Sequence, residues 1–411
     1  MANWKRNRNV LGKDESMSII FVGSTVDRET LKTLKDASVA GNKMELGFVH
    51  GFLDNGVSTV ALSVEAYGMW KMNHQPIFVK GKYLKAENAD IITVPYINIP
   101  VIKQISIIKN LKRKLKECVS NEEYSDATLM VYNTMTIFAK PVLDIARQEG
   151  LKCIAVVADL PIKFKKSFVR RLEDQRQVKS IGMFDALIPL TEHIARDFAP
   201  RTPYCVVEAG CNPNDYTDMQ QEAKSDSVRT IVFSGTLNEL SGIELLLDAM
   251  LLVKEPGIEL NIYGDGPLKQ YVEERSKNST NVHYFGRVSN DQMIKIQRNA
   301  SLLVCPRKAD DFTTKYTFPS KVLEYICSGV PVLANRLMGI PAEYEDYISY
   351  AKSELPEDWA EMLEQVLSDE NYETYRQKAL LARKRVLNVK SWKVQTQRVI
   401  SDLAGKGIRI V

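Results

Sequence analysis

Along the chain, short apolar runs that end in glycine or polar residues alternate with longer stretches whose apolar positions recur every three or four residues. Ser18-Ile19-Ile20-Phe21-Val22-Gly23 is the first such run and predicts a buried strand of an α/β sheet. Ala40-Gly41-Asn42-Lys43 opens the next stretch, where Met44, Phe48 and Phe52 recur at spacing four beside Val49 and Leu53, the pattern of a helix. Asn55-Gly56 stops it, and residues 57–64 predict the second strand. Runs at 127–132, 154–158 and 184–190 extend the series, the first ending at Asn133 and the second running into Asp159-Leu160-Pro161. Runs at 230–237, 259–263, 281–285, 302–305 and 330–334 repeat it in the second half. Strand, loop, helix, strand in this order predicts two doubly wound parallel sheets with ligands at the strand ends. The polar, charged stretch 214–229 places a boundary between domains at 17–213 and 214–390.

Residues 101–118 form a different element. Ile102, Ile105, Ile108, Leu111 and Leu115 make an apolar stripe flanked by Lys103, Lys109, Lys112, Arg113, Lys114 and Lys116. Two readings stand side by side: a basic amphipathic helix lying on an anionic membrane, or a surface helix with its stripe in the core. A second basic cluster, Lys163, Lys165, Lys166, Arg170 and Arg171, adds weight to the first.

Composition narrows the classes. With 411 residues the chain has room for two full cores, and 55 basic against 51 acidic residues are too balanced to imply a nucleic-acid partner. Cys118, Cys153, Cys205, Cys211, Cys305 and Cys327 form no C-x-x-C, so free thiols in a reducing compartment are expected rather than disulfides or zinc. The first residues carry no signal-like apolar segment, and no run reaches the ~18 apolar residues of a spanning helix. The expected location is the cytoplasm, with peripheral contact at the inner face of the plasma membrane through 101–118 as the open alternative.

The densest chemistry lies at 317–334, Thr-Phe-Pro-Ser-Lys-Val-Leu-Glu-Tyr-Ile-Cys-Ser-Gly-Val-Pro-Val-Leu-Ala. Pro319 suits a helix start with Thr317 and Ser320 as candidate caps, Gly329 ends the helix, and a buried strand follows. Lys321 and Glu324, three apart, are expected to project side by side. A cation, a carboxylate and a helix N-terminus at one mouth suit a phosphate with a ribose attached. The segment resembles the donor-binding helix of retaining glycosyltransferases of family four, which have the GT-B fold. Glu324 matches the second of that family's two glutamates, the one that grips the ribose; Tyr316 stands where the first would be.

The resemblance implies an α/β protein of GT-B type, two Rossmann-like domains facing each other across a cleft, with a final helix at 391–411 returning to the first. It implies transfer of a sugar, with retention, from a nucleoside diphosphate sugar, a UDP-sugar being favoured. The implied acceptor is a glycan or polyprenyl-diphosphate-linked oligosaccharide of a bacterial surface polysaccharide. Where the family carries two diphosphate-binding cations this chain has Thr236 and Ser241; Arg307, Lys315 and Lys321 are the substitutes at hand. Arg307 and Lys321 are therefore assigned to stabilising the leaving diphosphate. Gly235, Thr236, Gly264, Arg287, Val288, Tyr316, Phe318, Ser320 and Glu324 are assigned to the donor. Asn42, Lys43, Asn133 and Asp159 are assigned to the acceptor, Asp159 having a helix-capping role as its plain alternative. The turn at Met338 to Glu343 also falls near the donor in the family. No Asp-x-Asp occurs, so neither a metal nor another cofactor is expected. The alternative to an enzyme is a GT-B subunit that has lost catalysis; an epimerase is the weakest reading, since the first half shows no acid and histidine cluster.

Overall fold

The computed structural model describes residues 17–68, 75–161, 168–216, 228–309 and 313–410. Two parallel sheets dominate it. In the seven-stranded sheet the order is Tyr83–Ala86, Ala89–Thr93, Ser58–Ser63, Ser18–Gly23, Thr128–Tyr132, Cys153–Val157, Ala186–Pro189. All neighbours are parallel except the first pair, an antiparallel hairpin at the edge. The six-stranded sheet, parallel throughout, runs Val282–Gly286, Ile258–Asp265, Arg229–Thr236, Leu302–Cys305, Val332–Ala334, Ser349–Tyr350. In each sheet the order reverses beside the first strand of its half. That switch point is where the two adjacent loops diverge and leave a crevice.

The central strands are buried on both faces, which is why they read as unbroken apolar runs: Ile19, Ile20, Phe21 and Val22 are wholly inaccessible. The helix Val39–Asp54 covers the first sheet with Phe48, Val49 and Phe52. The last helix, Trp392–Gly405, packs on Val39–Asp54 rather than on the sheet that precedes it in sequence. Trp392 lies between Gly47 and Gly210, where a Cβ would come within 2.0 and 2.5 Å of the indole. Only residues without a side chain leave room for that ring.

The helix Ile102–Val119 divides its stripe. Of the stripe, Leu111 and Leu115 are buried and Ile108 is half-buried, Ile107 and Val119 are buried beside them, and the helix packs against Thr136–Glu149, as the surface-helix reading expects. Ile102 and Ile105 are exposed, and Val101 before them is 78% exposed. They adjoin a two-stranded ribbon, Phe78–Val79 with Tyr96–Ile97, whose cross-strand partners Phe78 and Ile97 are also exposed. Lys112 pairs with Asp144, and Arg113 and Lys114 pair with Glu117. Of the second basic cluster, Lys163, Lys165 and Lys166 lie outside the described residues. Among the described residues no helix is long and apolar enough to cross a membrane.

Candidate active site

The strand Arg229–Thr236 ends in Ser234, Gly235 and Thr236, and the strand Leu302–Cys305 beside it leads into Pro306 and Arg307. The helix Ser320–Ser328 points its start at both ends. Pro319 is its cap residue and no side-chain hydroxyl caps it: Thr317 Oγ1 accepts from Arg307 at 3.2 Å and donates to the Thr313 carbonyl instead. Together these elements enclose a hollow of about 330 Å³ whose described lining comes from the second half. Among the described residues Arg307 and Lys321 are its charged groups, and no carboxylate lines it. Gly235, Thr236, Phe318 and Ser320 line it too. The uncapped helix start adds its partial positive charge to the same space.

Lys321 and Glu324 do not act as a local pair. The Lys321 ammonium donates to the Ser234 carbonyl over Gly235, and burial holds it below the ordinary lysine value against the pull of Glu324. Glu324 faces the other sheet and receives Lys43 Nζ at 2.8 Å on Oε1. At spacing three the two side chains diverge enough around the helix for different partners to claim each.

Glu324 lines a second cavity, of about 210 Å³, which lies between the sheets and shares Phe318 and Ser320 with the first. Lys43, Tyr132, Asp159, Glu208, Asp215 and Trp392 are among its polar and aromatic lining. Burial acts to lower the Lys43 pKa, but Glu324 and Asp215 outweigh it and hold the ammonium above its ordinary value. Glu208 is buried and already answered: Lys390 donates to it, and also to Glu343 at 2.7 Å. Tyr344 adds its hydroxyl at 2.8 Å.

A third cavity of about 390 Å³ continues into the first sheet, with Asp159, Tyr132, Asn133, Asn42, Asp36 and Glu45 on its walls. Asp159 is exposed and lines both this cavity and the one between the sheets. Asn133 and Asn42 also serve the scaffold. Asn133, in the left-handed region at φ 60°, accepts from the backbone N–H of Ala158 and Asp159 and so sets the Asp159 loop. Asn42 ties itself to both backbone groups of Val26.

Glu45 went unnoticed in the sequence. It is buried, accepts from Ser24 N and Thr25 Oγ1, and burial pushes its carboxyl up to about 7 against those hydrogen bonds. The signal was its register, since Glu45, Val49 and Phe52 lie at the spacing of one helix face.

Other assigned residues fall elsewhere. The Tyr316 ring packs on Phe198 with centroids 5.3 Å apart, and its hydroxyl donates to Asp197 at 2.7 Å. Lys315 Nζ also reaches Asp197, at 2.6 Å, so this cation bridges the two halves instead of facing the hollow. Gly264 does not line the hollow either: at φ 145° its Cβ position would fall 1.8 Å from the Gly235 carbonyl oxygen, so it makes close strand packing possible. Arg287 is exposed and Val288 packs into the second half's core, and neither borders the hollow. Met338 to Glu343 line a separate hollow with His193 and Arg398.

Residues 228–369 match the model of the family described as Glycosyl transferases group 1. The structure as a whole is similar to sucrose-phosphate synthase from Thermosynechococcus elongatus, with TM-score 0.67, 13% identity, and 95% of this chain and 98% of that chain covered. HepE from Anabaena in complex with UDP is similar at TM-score 0.64 and 14% identity, over 95% of this chain and 100% of that one. The lipopolysaccharide outer core galactosyltransferase WaaB, in its apo form, gives the same four figures. No curated protein matches the sequence. The chain has the GT-B fold. Its second half matches a group 1 glycosyl transferase domain, and fold and match together support a glycosyltransferase.

Proposed function

We propose that the protein is a retaining glycosyltransferase that takes a sugar from a nucleoside diphosphate sugar and passes it to a glycan or polyprenyl-diphosphate-linked oligosaccharide in bacterial surface polysaccharide synthesis. The observation that carries this reading is the hollow at the strand ends, where Arg307, Lys321 and a helix start converge. Departure of a nucleoside diphosphate builds negative charge there, and fixed cations stabilise it most effectively where water is excluded. Glu324, at the edge of the adjoining cavity, is assigned to the ribose. The cavity between the sheets is assigned to the transferred sugar and, past Asp159, to the acceptor. Retention follows when the acceptor oxygen bonds to the anomeric carbon on the face from which the sugar–phosphate bond breaks, and a leaving phosphate oxygen takes the acceptor proton, so no separate base is needed. UDP is the favoured nucleotide, supported by the likeness to HepE, a protein also solved with UDP-glucose. With two cations for the diphosphate and no Asp-x-Asp, activity is expected to survive chelation of divalent ions.

Docking on an anionic bilayer belongs to the same proposal. Its support is the exposed group Phe78, Ile97, Val101, Ile102 and Ile105 next to a helix that carries Lys109 and Lys116 without ion pairs among the described residues.

Calorimetric titration with UDP, ADP and GDP tests the nucleotide assignment. Saturable UDP binding that Lys321→Ala abolishes is expected. Folded protein that binds none of the three favours the catalytically inactive subunit. That second reading draws on Thr236 and Ser241, which stand in place of cations, and on Glu324, already paired with Lys43.

A further inference from the structure

The ion pair between Lys43 and Glu324 joins residues 281 apart in the chain, one from the helix over the first sheet and one from the helix at the end of the second. Among the described residues the Glu324 carboxylate makes no other hydrogen bond. Lys321, its nearest cation in sequence, is turned onto the Ser234 carbonyl. Both members of the pair keep about a third of their side-chain surface, 35% and 32%, on the cavity between the sheets. Glutamate has three rotatable bonds, and immobilising such a chain costs conformational entropy. A partner already in place lowers that cost before a ligand arrives.

We propose that Lys43 is a positioning residue: it holds the Glu324 carboxylate in the orientation that receives ribose hydroxyls, so ribose recognition requires the two sheets to be closed on each other. The inference rests on the nucleotide-sugar reading and divides it in two. Among the described residues the diphosphate hollow is lined by the second half alone, so diphosphate binding is expected to be independent of closure. The ribose contact borrows its order from the first half and is conditional on closure.

The test is calorimetric titration of the full chain with UDP, 2′-deoxy-UDP and inorganic pyrophosphate. Wild type is compared with Lys43→Ala, Lys43→Arg, Glu324→Gln and the double variant Lys43→Ala with Glu324→Gln. Lys43→Ala is expected to weaken UDP roughly tenfold, the scale of one charge-assisted hydrogen bond. It should shrink the preference for UDP over 2′-deoxy-UDP and leave pyrophosphate affinity unchanged, which also reports an intact fold. Lys43→Arg should restore most of the loss, and Lys43→Ala should add nothing in the Glu324→Gln background. An unchanged UDP to 2′-deoxy-UDP ratio in Lys43→Ala overturns the proposal. So does tighter UDP binding, which would make Lys43 a competitor of the ribose, or a pyrophosphate loss equal to that of UDP. Wild-type protein that binds none of the three ligands overturns the nucleotide-sugar reading itself, a result distinct from the others.

Discussion

The hollow at the strand ends of the second sheet and the cavity between the sheets share Phe318 and Ser320, yet differ in charge and in origin. Among the described residues the first holds Arg307 and Lys321 with no carboxylate, and its lining comes from the second half of the chain. Among the described residues the second holds Asp159, Glu208, Asp215 and Glu324 against Lys43 alone, and it is built from both halves. A charge site built within one sheet keeps its geometry when the sheets move; a site built between them forms only on closure. Under the proposed function the diphosphate end of a donor would have a standing site, and the ribose and sugar end a conditional one.

The comparison breaks first, and most strongly, at Lys390. This ammonium is buried and neutralises Glu208, so that Glu208 adds no net charge to the cavity between the sheets. Lys390→Met leaves a buried carboxylate without its cation and is expected to cost about 3–5 kcal/mol in denaturant unfolding. A cost below about 1 kcal/mol, the scale of an exposed pair, would show that Glu208 is not held as a charge. Next come the cations of the other hollow. Arg307→Ala and Lys321→Ala are each expected to lower kcat/KM about 100- to 1,000-fold, while the fold survives. Because burial depresses Lys321, UDP affinity should fall as pH rises, beginning below the ordinary lysine range. Lys321→Arg should remove that dependence, and a flat profile in wild type would contradict it.

Glu45 sharpens the contrast from the acidic side. Its carboxyl sits at about 7 in the folded protein against an ordinary 4.5. A raised folded value means that the folded state binds the extra proton, so its contribution is complete below 4.5 and is lost as pH rises through 7. Melting followed from pH 4.5 to 8 should show a loss of up to about 3 kcal/mol that Glu45→Gln lacks. Equal pH profiles in both proteins would place Glu45 outside the titration. The smallest effects concern the outer surface. Neutralising Lys109, Lys112, Lys114 and Lys116 should weaken co-sedimentation with anionic vesicles by about 1 kcal/mol per lysine at the surface. Lys112 and Lys114 are already paired within the protein and should contribute least. Sedimentation that does not change removes the membrane from the account.

Most central strands were legible because burial on both faces leaves an unbroken apolar run; residues 18–23 are the strand Ser18–Gly23 without a shift at either end. The helix Thr136–Glu149 was not, since Pro141 in its interior argues locally against a helix and tertiary packing overrides it. In the site, Arg307 and Lys321 could be placed from the strand ends they follow and precede, because strand order fixes where those loops meet. Lys43 could be found as a cation in the first turns of a helix, but not its partner, since a pairing over 281 residues leaves no local trace. Tyr316 and Lys315 show the opposite error. Sequence proximity to the donor helix suggested a ligand, whereas Asp197 from the other half claims both.

The most direct test of the central claim is a crystal structure of the protein with UDP bound. Diphosphate oxygens are expected within hydrogen-bonding reach of both Arg307 and Lys321, with the ribose at Glu324. A diphosphate found away from those two cations, with their hollow empty, would contradict it.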